Sequence, residues 1–357
     1  MSSSQTPAEL AADPLFQLNC VIWLTQPLAG GHRIQPILHQ AGFTVYSLAP
    51  LLTPPPDLTA KAREGGFGIQ NGTRPDLVLA DALVKKVAVT ECKASWFGSA
   101  SHKAEQARAL LISSGERCGD VLGVAAGQVK EAIFLAVLPK DRSAQAATSL
   151  AELREELGSC GVPPPTVSVA GLEIGSTEAS VEFDVGAAAF FGVPAGRHVF
   201  LRYDSPDDAR PLYFVPYDPT HTPGSAHEPI ARRILLERLH GSVLGAIARA
   251  LPPTAVVIRP DEALNDAMFG MWNLWEDVEA HRAMKRLFRD FMTRLVRQLD
   301  EGVRPFIEGQ QNGEWRVRLT DASVHALVRD EIARFLAEDA ATAPEPRPSL
   351  LDDLADS

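Results

Sequence analysis

Short apolar runs bounded by polar breaks fill residues 43–138, and beyond residue 260 the apolar positions widen to the three-and-four spacing of helices. Residues 43–48, 74–79, 87–93 and 131–138 predict strands, the last of them buried on both faces. A helical stretch over 32–40 precedes the first strand, 101–111 predicts an amphipathic helix, and 148–158 predicts a capped helix closing at Gly158. The first dozen residues are polar and predict a loose end.

Residues 161–165, Gly-Val-Pro-Pro-Pro, read as a linker, and the pattern after it becomes short and β-rich. Strands are expected at 167–169, 180–185, 198–203 and 212–215, with a turn over 204–208; they either extend the first sheet or form a small one. Helices are expected over 230–239, over 261–299 with a break near Gly270, and over 321–338. The chain thus divides into a first domain over 1–160, a β-rich extension with a connecting helix over 161–250, a helical C-terminal docking or regulatory domain over 251–340, and an acidic disordered tail over 341–357.

Two of the predicted strands carry the chemistry. Arg74-Pro75-Asp76 opens one and Glu91-Cys92-Lys93 closes the next. Residues two apart on a strand share a face, so Glu91 and Lys93 project together and Cys92 points into the core. A hairpin turning at 81–85 sets Asp76 opposite Glu91, and directly opposed residues share a face. Two carboxylates so placed repel unless a cation lies between them, and an oxygen-only site suits Mg²⁺ or Mn²⁺. Such an ion would polarise a phosphodiester and acidify a bound water, with Lys93 orienting that water or neutralising the phosphorus centre.

The pattern resembles the PD-(D/E)xK superfamily of restriction-endonuclease-like nucleases over roughly residues 30–140. The resemblance implies Asp76 and Glu91 as metal ligands, Lys93 as the catalytic lysine, and the Cys92 backbone carbonyl as a further ligand. It also implies an α/β fold: a restriction-endonuclease-like core of one mixed sheet flanked by helices. Many members carry another acid on the first helix; the matching stretch here offers Gln35 instead. Some branches place a Gln and a Tyr four apart on the helix after the lysine, whereas here Gln106 is followed by Leu110.

Composition refines the picture. A net charge of −11 is unusual for a protein that grips phosphates, yet residues 1–140 hold 12 of the 34 basic and 11 of the 45 acidic residues, so the acidity belongs to the C-terminal part. The four cysteines lie apart, without a zinc knuckle or disulfide framework. No apolar run spans a bilayer and no secretory leader opens the chain, so a cytoplasmic protein without membrane contact is expected. In the loop 218–229, His221, His227 and Glu228 match no helical metal motif and read as an entry to the next helix. Arg282, Arg286, Arg289 and Arg297 share one helix face, read as solvated and laced by Glu279 and Asp290, with a phosphate-tracking ridge as the alternative.

The expectation is a Mg²⁺-dependent endonuclease, a hydrolase acting on DNA with RNA left open, in bacterial antiviral defence or DNA processing. It would work as a homodimer or with other subunits. The competing reading is a nuclease fold that has lost catalysis and serves as a nucleic-acid-binding or scaffolding subunit.

Overall fold

The computed structural model describes residues 7–27, 34–96, 103–163, 165–203, 212–225 and 227–342. After a short helix α1 (Pro7–Ala11), helix α2 (Pro14–Thr25) starts where Asp13 accepts the N–H groups of Leu15 and Phe16 at 2.8 and 3.2 Å, with Pro14 fixing the first turn. Leu15 through Thr25 are all buried, so α2 runs through the interior. Of the first dozen residues, where a loose polar end is expected, 7–11 form α1 and 1–6 lie outside the described residues; α2 is a helix that the apolar pattern does not predict. The helix expected over 32–40 is only α3 (Ile37–Gln40); residues 32 and 33 lie outside the described residues.

Next come β1 (Phe43–Leu48), α4 (Pro56–Glu64), β2 (Leu77–Asp81) and β3 (Lys86–Cys92). The β2–β3 turn is closed by Asp81, whose carboxylate accepts the N–H groups of Lys85 and Lys86 at 2.6 and 3.0 Å. Then α5 (Lys103–Ser113), α6 (Cys118–Val121), β4 (Glu131–Pro139) and α7 (Ser143–Ser159) follow. Residues 101 and 102 of the helix predicted over 101–111 lie outside the described residues.

The β-rich stretch gives β5 (Val167–Ile174), β6 (Glu178–Phe183), α8 (Val185–Phe191) and β7 (Gly196–Arg202). Asp184 ends the sixth strand early because its carboxylate caps α8 by accepting the Ala187 N–H at 2.7 Å. Residues 212–215 are not a strand, and the turn expected over 204–208 lies outside the described residues. The chain continues through α9 (Glu228–Ala248), β8 (Thr254–Ile258), α10 (Pro260–Ala267), α11 (Val278–Gln298), β9 (Ile307–Gly309), β10 (Trp315–Leu319) and α12 (Ala322–Thr342).

The fold is α/β, with one mixed sheet in the order β1-β2-β3-β4-β5-β6-β7. Strands β3, β4 and β5 are parallel neighbours, joined by helical crossovers, and the other pairs are antiparallel. The β-rich extension therefore continues the first sheet. A second sheet, β8-β10-β9, sits within the otherwise helical C-terminal part.

Alternation divides the main sheet into two cores. Leu77, Leu79, Ala88, Cys92 and Ile133 pack with α2 and the C-terminal helices, while Val78, Val87, Val89, Phe134 and Ala136 pack with α5 and α7. Among the described residues no helix is long and apolar enough to cross a membrane, and all four cysteines are free thiols.

Candidate active site

Leu77 pairs with Thr90 across β2 and β3, so continuing that register by one residue sets Asp76 opposite Glu91. The Cys92 N–H donates to Asp76 Oδ2 at 2.6 Å, and Lys93 Nζ lies 2.5 Å from Glu91 Oε1. Asp76, Glu91 and Lys93 are thus brought together. On extended backbone the N–H and C=O of one residue point to the same side, so the Cys92 carbonyl opens toward Asp76 as well. Its side chain turns into the α2 core, as strand alternation requires.

Glu91 is only 2% exposed, and its second oxygen, Oε2, is buried without a hydrogen-bond partner. Burial and then the Asp76 charge push its pKa up to about 8, against the pull of Lys93 and the Asp76 N–H. Asp76 is raised too, chiefly by burial, with the Cys92 N–H, Lys93 and His221 opposing. Burial would lower Lys93, but Glu91 and Asp76 outweigh it and hold the ammonium charged. Glu91, raised to about 8, thus keeps its proton near neutrality in the absence of a cation.

Helix α2 supports this end of the sheet. Gln17 is fully buried and donates from Nε2 to the Lys93 carbonyl at 3.0 Å and to the Ala11 carbonyl at 2.7 Å, leaving Oε1 without a partner. It is the α2 side chain bonded to the Glu91–Lys93 segment. Gln35 lies elsewhere: it is exposed, and its N–H bonds Phe200 on β7. Gln106, on α5, makes no hydrogen bond to Asp76, Glu91 or Lys93 among the described residues.

Sequence reasoning missed a second group at the site. Asp76 lines a cavity of about 180 Å³ together with Asp218, Thr220, His221, Trp275 and Asp277. Asp218 Oδ1 accepts the N–H and hydroxyl of Thr220 at 2.7 and 2.6 Å, and Oδ2 lies 3.0 Å from His221 Nδ1. That bond raises the His221 pKa against partial burial. The segment is anchored by Asn19 on α2, whose buried amide bonds both the N–H and the C=O of Val215 at 3.0 and 2.9 Å. His227 and Glu228 go elsewhere: His227 Nδ1 lies 3.0 Å from Asp13 Oδ2, and Glu228 accepts the Gly224 N–H.

The opposite wall hangs from β1. Leu48 bridges Trp275, and its carbonyl accepts the Glu276 N–H at 2.8 Å. Ala49 turns out of the strand at φ +47°, a left-handed conformation that costs a non-glycine residue energy. It is held there by an N–H bond to the Asp76 carbonyl at 3.0 Å and by Arg74 Nη1 on its own carbonyl at 2.8 Å. Asp277 then caps α11, accepting the N–H groups of Glu279 and Ala280.

Two acids with a partnerless buried oxygen and a nearby carbonyl are a donor set that fits a hard divalent cation. Among the described residues no three His, Cys, Asp or Glu side chains converge on one metal position, so such an ion would take main-chain or water oxygens as well. Compared with family models, curated proteins and solved structures, the chain matches none of them.

Proposed function

We propose that the chain is a metal-dependent nuclease that hydrolyses phosphodiester bonds of DNA at Asp76, Glu91 and Lys93. The observation that carries this reading is the Glu91 carboxylate, buried opposite Asp76 with Lys93 on one oxygen and nothing on the other. The order α2, β1, β2, β3, α5, β4, with β4 parallel to β3, supports a restriction-endonuclease-like core.

Asp76, Glu91 and the Cys92 carbonyl would hold Mg²⁺ or Mn²⁺, which when bound supplies Lewis acidity to the phosphate and acidity to a water. Lys93, kept charged, serves as a hydrogen-bond donor rather than a base: it orients the attacking water or neutralises a non-bridging oxygen. Water adds to phosphorus and gives up one proton to bulk solvent, the bond to the leaving oxygen breaks, and that oxygen takes a proton. His221, held by Asp218 at the same cavity, would be its donor. The acidic C-terminal part favours action with a second copy or other subunits; the antiviral or DNA-processing setting rests on the resemblance alone.

The alternative is a nuclease fold retained as a binding or scaffolding subunit, favoured by the stretch with Gln35, which has no carboxylate where many members of the resembled family carry a further acid. Incubating the purified protein with plasmid and single-stranded DNA in Mg²⁺, Mn²⁺ or EDTA separates the two. Metal-dependent cleavage lost in Lys93→Ala supports the nuclease; no cleavage with any metal, together with unaltered nucleic-acid binding in Lys93→Ala, supports the scaffold.

A further inference from the structure

Helix α11 begins at the candidate site, because its cap Asp277 and the preceding Trp275 line the cavity with Asp76. One side of the helix is anchored by Ala280, Met284, Phe288, Phe291, Met292 and Leu295, all buried. At 100° per residue the opposite side carries Arg282, Arg286, Arg289 and Arg297 within a sector of roughly 80°, extending over about 22 Å at 1.5 Å per residue. All four are exposed.

Among the described residues, none of these four guanidinium groups takes part in a hydrogen bond or ion pair, and neither Glu279 nor Asp290 laces the stripe. That is unlike the other exposed arginines that carboxylates hold in this chain. Arg197 bonds Glu178 at 2.8 Å, Arg259 bonds Glu262 at 2.7 Å and Arg318 bonds Glu308 at 2.9 Å. In a chain of net charge −11, a row of four cations on a rigid helix, with Glu279 and Asp290 on or beside the same sector but paired with none of them, repels itself and is complementary to a row of anions. A nucleic-acid backbone, with one charge per roughly 3.4 Å of each duplex strand, presents about six phosphates over that length.

We infer that the Arg282–Arg286–Arg289–Arg297 stripe is a track for the phosphate backbone of a nucleic acid, leading it to the Asp76 site. The inference rests on the nuclease reading for the destination of the strand but not for the binding itself. It also answers the objection raised by the overall acidity: the contact is local, on one helix face, and the acidic remainder keeps nucleic acid off other surfaces.

The test uses the full chain and a fluorescein-labelled oligonucleotide, single-stranded and duplex, with anisotropy titrations in EDTA over a range of salt. Replacing the four arginines by glutamine should weaken binding at least tenfold and reduce the slope of log affinity against log salt by about three, near 0.7 to 0.9 per lost contact. Replacing them by lysine should keep the slope. Replacing Arg233, Arg259, Arg318 and Arg329 by glutamine removes the same charge elsewhere and should leave the slope unchanged. Circular dichroism melts check that each variant folds.

Equal slopes for wild type and the stripe variant, equal losses for both glutamine sets, or no binding by wild type each overturn the track. Hydrolysis of bis(p-nitrophenyl) phosphate, too small to reach the stripe, reports separately on the site. If wild type hydrolyses it and the stripe variant matches, the site stands whatever the anisotropy shows. If wild type cleaves neither substrate but binding follows the stripe, the track holds and the catalytic reading falls.

Discussion

Lys93 holds one oxygen of the Glu91 carboxylate at 2.5 Å while the other oxygen lies buried with no partner. A buried acid optimised only for stability would have both oxygens satisfied, since an orphaned polar atom destabilises the fold. The half-satisfied carboxylate, beside a second acid, is an arrangement that gains from a cation.

The sign of the resulting pH effect is fixed. The Glu91 pKa is raised from an ordinary 4.5 to about 8, so the folded chain keeps a proton that the unfolded chain loses. Its contribution to stability is full below pH 4.5 and fades as pH rises through about 8. Glu91→Gln mimics the protonated form at every pH. In EDTA its melting temperature should match wild type near pH 4.5 and exceed it by a few degrees at pH 8.5, on the order of 3 kcal/mol. Thermal melts across that range decide it: a variant less stable than wild type at pH 8.5 would show that the Lys93 contact dominates.

Metal binding should displace the proton held by Glu91. The apparent affinity for Mn²⁺ then rises roughly tenfold per pH unit and levels off near the raised pKa. Calorimetry in buffers of different ionisation enthalpy should count about one proton released per ion at pH 7. Asp76→Asn and Glu91→Gln should each abolish the heat. Binding independent of pH between 6 and 8 would place the ion elsewhere.

How much of this was legible in the sequence differs by element. Strands β1 to β4 stand out because β-branched or apolar runs end at polar breaks, and the Asp76–Glu91–Lys93 set follows from the β2–β3 hairpin and the alternation along β3. Helix α2 does not stand out: it is buried all round, so it lacks the one-sided apolar stripe that marks a surface helix, and its Gln17 and Asn19 look like loop residues. Strand β10 carries the strict alternation of Trp315, Val317 and Leu319 with Arg316 and Arg318, but at five residues between two helices it is too short to set a period of its own. No local pattern links His221 to Asp76; that link is made by the Asn19–Val215 bonds, 196 residues apart in the chain.

His221 should behave as a held imidazole. Its pKa is raised first by the Asp218 hydrogen bond, and Asp76 adds to this while burial and Lys93 oppose. An NMR titration of the ring protons should place the midpoint above 6.5 in wild type and lower in Asp218→Asn. The proton-donor role adds a chemical signature. His221→Ala should slow cleavage of DNA by about 10²- to 10⁴-fold yet spare bis(p-nitrophenyl) phosphate, whose leaving group departs without protonation. Equal losses on both substrates would assign His221 to binding instead.

Asn19 provides the sharpest test of how α2 builds the site. Its amide satisfies both the N–H and the C=O of Val215, three residues before Asp218, inside a fully buried environment. Asn19→Ala removes both partners at once and leaves two main-chain groups without compensation, so urea denaturation should show a loss of about 2–5 kcal/mol. The loosened segment carries Asp218 and His221, so the variant's His221 midpoint should drift toward 6.5 while Mn²⁺ affinity, set by Asp76 and Glu91, stays near wild type. Asn19→Asp sets a carboxylate oxygen against the Val215 and Leu15 carbonyls in this fully buried site, so it should be at least as destabilising as Asn19→Ala. An Asn19→Ala protein as stable as wild type, with an unmoved His221 midpoint, would mean that Asp218 and His221 are held by their own turn and not by α2.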